Sequence, residues 1–147
     1  LPVSNQTSHE LLRQDRLVVL ARKGHPVIAR GLDMASYLEA RHILVSSRAE
    51  GPGIEDFELS RHGAQRTIRL RCQHYYAACR VVESSDLLLT MPETYARIIA
   101  QNTDIEVLAP PVEMPSIDVH LYWHKAYEQE PALVWFRDLL RNLQKAQ

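Results

Sequence analysis

The feature that most constrains the fold of this chain is a regular alternation of short apolar runs with segments of helical periodicity. Residues 17–21 form a continuous apolar run, as in strands that are covered on both faces. Residues 67–72 alternate apolar and polar side chains, which predicts a half-buried strand. Strands that alternate with helices predict an α/β fold with mostly parallel sheets and helices on their faces.

The pattern predicts the elements in order along the chain. The strands are predicted over residues 17–21, 43–45, 67–72, 86–90, 105–108 and 119–124. The helices are predicted over residues 32–40, 54–62, 75–82 and 93–100, with a last helix from Pro131. Asp33 is the expected N-cap of the first helix, and Gly63 the left-handed cap of the second. One apolar stripe of the last helix is predicted to contain Leu133, Phe136, Leu140 and Leu143.

The charge balance argues against a nucleic-acid-binding surface in this chain. The 147 residues carry 17 basic and 18 acidic side chains, which give a formal net charge of -1. Surfaces that bind nucleic acid concentrate lysine and arginine to neutralise phosphates. We therefore expect any contact with DNA to be made by residues outside this sequence.

The cysteine content and hydropathy predict a cytoplasmic protein. Cys72 and Cys79 make no disulfide framework, and a single pair of cysteines in a chain of this size fits a reducing compartment. No run of about 18 apolar residues is present, so no membrane contact is expected. No signal peptide is recognised, and the start at Leu1, in loop-like sequence, indicates a chain cut from something longer.

Candidate binding residues lie at the ends of the predicted strands, because ligands of open α/β sheets bind beyond the carboxyl ends of the strands. This rule selects Ser46 and Ser47 after one strand, and Thr90 and Met91 after another. It also selects Gln73 and His74, between residues 67–72 and the next helix. Such groups offer hydroxyls, imidazole and backbone N–H groups to a polar or anionic ligand. The alternative is that Ser46, His74 and Thr90 only cap helices.

Two adjacent tyrosines extend this candidate site. Of Tyr75 and Tyr76, one is expected to pack in the core and the other to line an apolar pocket, with its hydroxyl toward a ligand. We include Tyr75 among the candidate effector-binding residues.

The sequence contains no catalytic, metal-binding or nucleotide-binding signature. His120 and His124 have the spacing of zinc ligands on a helix, but residues four apart on a strand are about 13 Å apart, too far to share an ion. His74 and Cys79 do not face each other well on one helix. The glycines around Pro52 lack the Lys-Ser/Thr of a phosphate loop. We therefore predict no enzyme activity, no metal and no cofactor.

The ordered set of motifs resembles the effector-binding domain of LysR-type transcriptional regulators. Residues 17–26, LVVLARKGHP, resemble that family's strand and RKxHP turn, and residues 32–38 and 42–46 its next helix and strand. Residues 84–92 resemble its GxGIAxLP strand, with Ser84-Ser85-Asp86 in place of the usual glycine pair. Residues 119–124 and 131–140 resemble its final strand and helix.

The resemblance implies a two-lobed fold like that of type 2 periplasmic-binding proteins, with an effector in the cleft between the lobes. Residues 1–21 would belong to an incomplete regulatory lobe I, residues 22–116 to lobe II, and residues 117–147 would return to lobe I. It further implies a winged helix-turn-helix DNA-binding domain upstream of this chain, and assembly as a homodimer or tetramer. The implied cleft residues are again Ser46, Ser47, His74, Thr90 and Met91.

The sequence thus predicts the effector-binding regulatory domain of a LysR-type transcription regulator, which senses a small organic molecule of anionic or aromatic character. The main alternative is a solute-binding protein of a transport system, which shares the fold and would need a signal peptide and a complete first lobe. A third possibility is an enzyme on the same scaffold, which would need a catalytic constellation.

Overall fold

A computed structural model describes residues 4–145, with the backbone alone at residue 145. The strands are β1 (Thr7–Asp15), β2 (Leu17–Arg22), β3 (Arg41–Val45), β4 (Thr67–Cys72), β5 (Leu87–Pro92), β6 (Ile105–Leu108) and β7 (Ile117–His124). The helices are α1 (Pro26–Arg30), α2 (Met34–Glu39), α3 (Ile54–Arg61), α4 (Tyr75–Glu83), α5 (Glu93–Ala100) and α6 (Pro131–Lys145), with a 3-10 turn at Lys125–Tyr127.

The chain forms two compact units. One contains the residues up to Asp15 together with those from Ile117 onward, and the other contains residues 16–116. We refer to them as the terminal unit and the central unit. Within the described residues, no helix is both long and apolar enough to cross a membrane.

The central unit is built on a five-stranded sheet with the strand order β4-β3-β5-β2-β6. β3 pairs in parallel with β4 and β5, whereas β2 pairs antiparallel with β5 and β6. Four of the five strands therefore run in one direction, as the alternation of strands and helices predicts, and β2 runs against them. The α/β class is confirmed, with a mixed sheet.

Both faces of this sheet are covered, because β2 and β5 are apolar on both sides. Val18 and Leu20 of β2 join Leu89 of β5 in one core cluster, against α4 and α5. Val19 and Leu88 belong to the other cluster, with residues of α1, α2 and α3. This two-sided burial accounts for the unbroken apolar run in the sequence.

The position of β2 corrects one predicted boundary. Residues 1–21 were expected to share the first lobe, but β2 is hydrogen-bonded between β5 and β6 of the central unit. The division falls instead between Asp15 and Arg16. A short apolar run shows that a strand is buried and does not show which sheet it joins. The assignment of the two units to lobes I and II stays a prediction.

The terminal unit consists of an antiparallel pair, β1 and β7, and helix α6. Polar contacts fasten these elements: Arg141 of α6 donates through Nε to Glu10 Oε1 at 2.9 Å, and the guanidinium of Arg137 lies 4.5 Å from the centre of the Trp123 ring. The Glu128 carboxylate accepts from Ser8 and from the Trp123 indole, each at 2.8 Å, and these hydrogen bonds lower its pKa.

The residues of the predicted apolar stripe of α6 are buried to different extents. Leu133 and Leu140 are partly buried, but Phe136 and Leu143 are 46% and 52% exposed. The helical spacing was read correctly, but the buried side of α6 also carries Arg137, which is 8% exposed.

Candidate functional site

The carboxyl ends of three neighbouring parallel strands meet at one edge of the central sheet, as the strand-end rule requires. Val45, the last residue of β3, is in register with Cys72, the last residue of β4. Pro92 ends β5 and pairs with Leu17, where the antiparallel β2 begins. We call this the carboxyl edge. It brings the predicted segments together.

Ser46 and Ser47 lie at the carboxyl edge but act mainly within their own turn. The backbone N–H of Ser46 donates to the Cys72 carbonyl at 2.9 Å, which continues the pairing of β3 with β4. The Ser46 hydroxyl accepts from the backbone N–H of Arg48 at 3.1 Å. Ser47 is exposed. Neither serine lines the depression described below.

Thr90 and Met91 point away from the edge into the two cores. The Thr90 side chain is 4% exposed, and its hydroxyl lies 3.0 Å from the hydroxyl of Tyr37. Met91 is fully buried, and its sulfur lies 3.8 Å from the Cys79 thiol. Both side chains are buried, because β5 is covered on both faces. We leave both out of the proposed site.

A buried polar network lies behind Thr90. Tyr37 and His42 are fully buried, and His42 Nε2 donates to the Tyr37 carbonyl at 2.7 Å. Burial raises the pKa of Tyr37 and lowers the pKa of His42 to about 4. The Arg66 side chain, also fully buried, pairs with Glu55 at 2.7 Å and Asp56 at 2.5 Å. We therefore assign this network a role in stabilising the fold rather than in binding a ligand at the carboxyl edge.

His74 occupies the N-cap position of α4 without capping it. Its backbone is extended, and its side chain makes no hydrogen bond to the first turn. The first turn of α4 contains no acidic residue. Within residues 4–145, neither the N-cap side chain nor an acidic side chain of the first turn accepts from the N–H groups at the start of this helix, so the predicted alternative of a capping imidazole does not hold here.

An open depression lies beside this uncapped helix start. Its volume is about 590 Å³, within the range of small-molecule sites. The lining residues come from the β4–α4 connection, the first turn of α4 and the first turn of α5: Gln73, His74, Tyr75, Tyr76, Ala77 and Tyr95.

Aromatic rings dominate the walls of this depression. The rings of Tyr75 and Tyr95 are 6.1 Å apart and nearly perpendicular, the edge-to-face geometry that aromatic pairs prefer. Tyr75 is partly buried against the core, and burial raises its pKa, whereas Tyr76 is 65% exposed. Tyr75 therefore both packs inward and lines the depression. The hydroxyls of these tyrosines can donate and accept hydrogen bonds.

The start of α5 contrasts with the start of α4, because it already holds a carboxylate. Glu93, in the first turn of α5, pairs with Arg16 and with Arg97, whose Nη2 lies 2.5 Å from Glu93 Oε1. The hydrogen bond from Arg16, together with the one from Arg97, lowers the pKa of Glu93 to about 2. An external anion is thus favoured at α4 and disfavoured at α5.

Two lining residues, Ala77 and Tyr95, were not among the residues predicted from the sequence, and Tyr95 is the more important because its ring forms part of the wall. Tyr95 lies three residues beyond the end of β5, inside a predicted helix, where the strand-end rule does not look. Its position in the first turn of that helix was the available signal, since α5 follows β5 without a loop.

The family model for the LysR substrate-binding domain matches residues 2–145. The chain belongs to this family. The LysR-type assignment and the effector-binding domain type expected from the sequence are therefore confirmed.

Curated relatives of this LysR-family chain are transcription regulators. The HTH-type transcriptional activator NahR of Pseudomonas putida is 32% identical over 132 residues, which are 90% of this chain and 44% of NahR. The activator NagR of a Ralstonia species is 30% identical over the same length and coverage. The chain thus spans less than half of these relatives. Their nature favours a regulator over the solute-binding alternative.

Solved structures agree with this family fold. The probable transcriptional regulator PA0477 from Pseudomonas aeruginosa matches with a TM-score of 0.82 and 28% identity, over 97% of this chain and 46% of that chain. The effector-binding domain of QuiR, solved in complex with shikimate, matches with a TM-score of 0.74 over all of this chain and 69% of that chain. At 17% identity, QuiR supports the fold alone.

Proposed function

We propose that this LysR-family domain senses a small organic effector that binds at the carboxyl edge of the central sheet, in the depression beside the start of α4. The observation that carries the proposal is the coincidence of an uncapped helix N-terminus with a tyrosine-lined depression. Either feature alone is common in proteins. Together they offer N–H donors and an apolar wall to the same molecule.

The chemistry of the depression favours an aromatic carboxylate. A carboxylate would accept from the free N–H groups at the start of α4 and from the His74 ring, and the helix dipole favours the negative charge. The body of the ligand would pack against the rings of Tyr75 and Tyr95. Gln73 offers an amide for a second polar substituent.

The remaining candidate residues have secondary places in this proposal. Ser46 and Ser47 lie at the same edge and hold the turn after β3. Thr90 and Met91 support the site from within the core, through Tyr37 and Cys79.

The proposed partners follow from family membership. We expect DNA to be bound through a winged helix-turn-helix outside this chain and the regulator to act as a homodimer or tetramer. Effector binding would shift the population between two arrangements that it binds with different affinity. The cytoplasm is the expected compartment, since Cys72 and Cys79 are free thiols and Cys79 is buried in the core. We assign the chain no enzymatic step.

A thermal-shift screen of the 147-residue chain tests this proposal. The probes are aromatic carboxylates, each paired with its neutral amide. A carboxylate that binds the folded chain raises the melting temperature by mass action, and the amide is expected to raise it less. His74→Ala and Tyr95→Ala should each raise the dissociation constant of the best probe by about tenfold, because each change removes a polar or aromatic contact of about 1.4 kcal/mol.

Phe57→Ala is the matched control, because Phe57 is an exposed ring of the central unit on α3, away from the depression. It should leave probe binding unchanged. If His74→Ala and Tyr95→Ala bind the probe as tightly as the parent chain, the proposed site is wrong. In the whole regulator, His74→Ala should weaken the effector response and leave DNA affinity intact.

A further inference from the structure

A second depression lies at the opposite end of the same sheet. It is bordered by Arg41 and Leu87, the first residues of β3 and β5, which are in register with each other. Its volume is about 420 Å³, large enough for a small organic molecule. We call it the amino-end pocket. It shares no lining residue with the tyrosine-lined depression.

Two arginines of the amino-end pocket are free to bind a ligand. Arg30 ends α1 and Arg41 begins β3, and both are exposed. Within residues 4–145, the structure gives neither guanidinium a hydrogen bond or an ion pair. A guanidinium has five donors in a fixed fork that matches a carboxylate.

The balance of charge in the pocket is positive. Its acidic lining residues are Glu39 and Asp86. Asp86 is already neutralised by Arg22, whose Nε and Nη2 lie 2.8 and 2.6 Å from Asp86 Oδ1. Glu39 alone therefore opposes the two free arginines. The electrostatic attraction of an anion to these arginines exceeds its repulsion by Glu39.

The floor of the pocket is apolar and fixed. Val27 is buried, and Pro26, Ala40 and Leu87 complete the apolar lining. The His25 ring holds this wall in place through two hydrogen bonds. Its Nδ1 accepts from the Val27 N–H at 3.1 Å, so the proton is on Nε2, and Nε2 donates to the Asp86 carbonyl at 3.2 Å. A preformed wall lowers the entropic cost of binding.

We propose that the amino-end pocket is a second ligand site, which takes a small organic acid with an apolar body. The carboxylate is held by Arg30 and Arg41, and the apolar body lies on the floor. This site is independent of the proposed effector site, since the two lie at opposite ends of β3 and β5.

Titration of the 15N-labelled chain by nuclear magnetic resonance tests this inference, with hexanoate as the probe and hexanamide as its neutral analogue. Hexanoate is expected to give saturable amide shifts at residues 25–30, 39–41 and 85–87. Hexanamide should bind at least about fivefold more weakly, because it cannot form charge-assisted hydrogen bonds.

Single substitutions give effects of opposite sign. Arg30→Gln and Arg41→Gln should each weaken hexanoate binding by about fivefold, whereas Glu39→Gln should strengthen it. Arg69→Gln is the matched control, since Arg69 is an exposed arginine of β4 outside this pocket, and it should change nothing. All four side chains are exposed, so the melting temperatures should stay close to that of the parent chain.

Three results would overturn the inference. They are equal binding of hexanoate and hexanamide, unchanged binding in both arginine variants, and shifts confined to residues 73–77 and 95. The last result would assign the acid to the effector site instead and would leave the function proposed above intact.

Discussion

The two faces of the central sheet are both buried, but by side chains of different character. On one face Met91 packs against Cys79 in a cluster made of apolar side chains. On the other face its neighbour Thr90 joins a polar network that contains Tyr37, His42 and Arg66. We call these the apolar face and the polar face.

The burial of both faces limits where ligand-binding groups can lie in this sheet. Successive residues of a strand point to opposite faces, and both faces are covered. The side chains of Thr90 and Met91 are therefore each buried in a core. Residues beyond the strand ends, such as Gln73 and His74, instead present their side chains at the edge. The two faces also predict different responses to mutation and pH.

The largest effect should follow from Arg66→Met on the polar face. This change leaves Glu55, which is 4% exposed, and Asp56 without their cationic partner. Loss of one partner of a buried ion pair destabilises proteins by about 3–5 kcal/mol, and we expect that range for the free energy of unfolding, measured by urea denaturation.

Arg69→Met is the control for this change, because Arg69 is exposed, and it should alter stability by less than about 0.5 kcal/mol. A similar small effect for Arg66→Met would mean that the polar face is held by packing alone, and the distinction between the faces would fail.

The next effect concerns pH and belongs to His42. Its pKa is about 4 in the folded chain and about 6.5 when unfolded, so the unfolded chain binds the extra proton between these values. The stabilisation of the fold by the neutral, buried His42 ring is therefore fully present above pH 6.5 and is lost as the pH falls toward 4. The resulting change in the free energy of unfolding is about 3 kcal/mol, at 1.36 kcal/mol for each unit of pKa.

The measurement is the free energy of unfolding of the parent chain and of His42→Gln between pH 7 and pH 4. The difference between the two should change by about 3 kcal/mol over this interval, because other acids titrate alike in both. A constant difference would show that His42 does not titrate with folding.

The smallest effect compares neighbouring residues of β5. Thr90→Val removes the partner of the Tyr37 hydroxyl and should cost about 1–2 kcal/mol beyond any packing change. Met91→Leu conserves volume on the apolar face and should cost less than about 1.5 kcal/mol. If Met91→Leu proved the more destabilising, the assignment of polar sensitivity to one face would be contradicted.

Much of the central unit was predictable from local patterns. The strands at 67–72 and 105–108 and the helix at 93–100 have the predicted bounds. Asp33 caps α2 as expected, since its Oδ1 accepts from the Ser36 N–H at 2.8 Å, and Gly63 has the positive φ of 65° that its cap position requires. These features depend on spacing and on single residues, which sequence shows directly.

Two elements were missed because their signals are mixed. β1 contains adjacent Leu11 and Leu12, and its register shifts between Leu11 and Arg13, so the alternation of a strand is broken. α1 begins at Pro26, shortly after Gly24, and glycine and proline usually interrupt regular structure, so the local sequence does not indicate a helix here. Proline is accepted in the first helical turn, and the His25 ring caps this one.

The candidate site was predictable only to the level of the sheet edge. The adjacency of the strand ends follows from parallel topology, and His74 and Tyr75 do line the depression. The directions of the Thr90 and Met91 side chains depend on which helices cover each face, and the approach of Tyr95 to Tyr75 depends on the packing of α4 beside α5. Neither is encoded in a local pattern.

We expect a small aromatic acid to bind at the carboxyl edge against the start of α4. The most direct test is a nuclear magnetic resonance titration of the 15N-labelled chain with the aromatic carboxylate that stabilises it most. The saturable amide shifts should centre on residues 73–77 and 95, and His74→Ala should weaken them. Saturable shifts that avoid these residues, with binding unchanged in His74→Ala, would contradict this expectation.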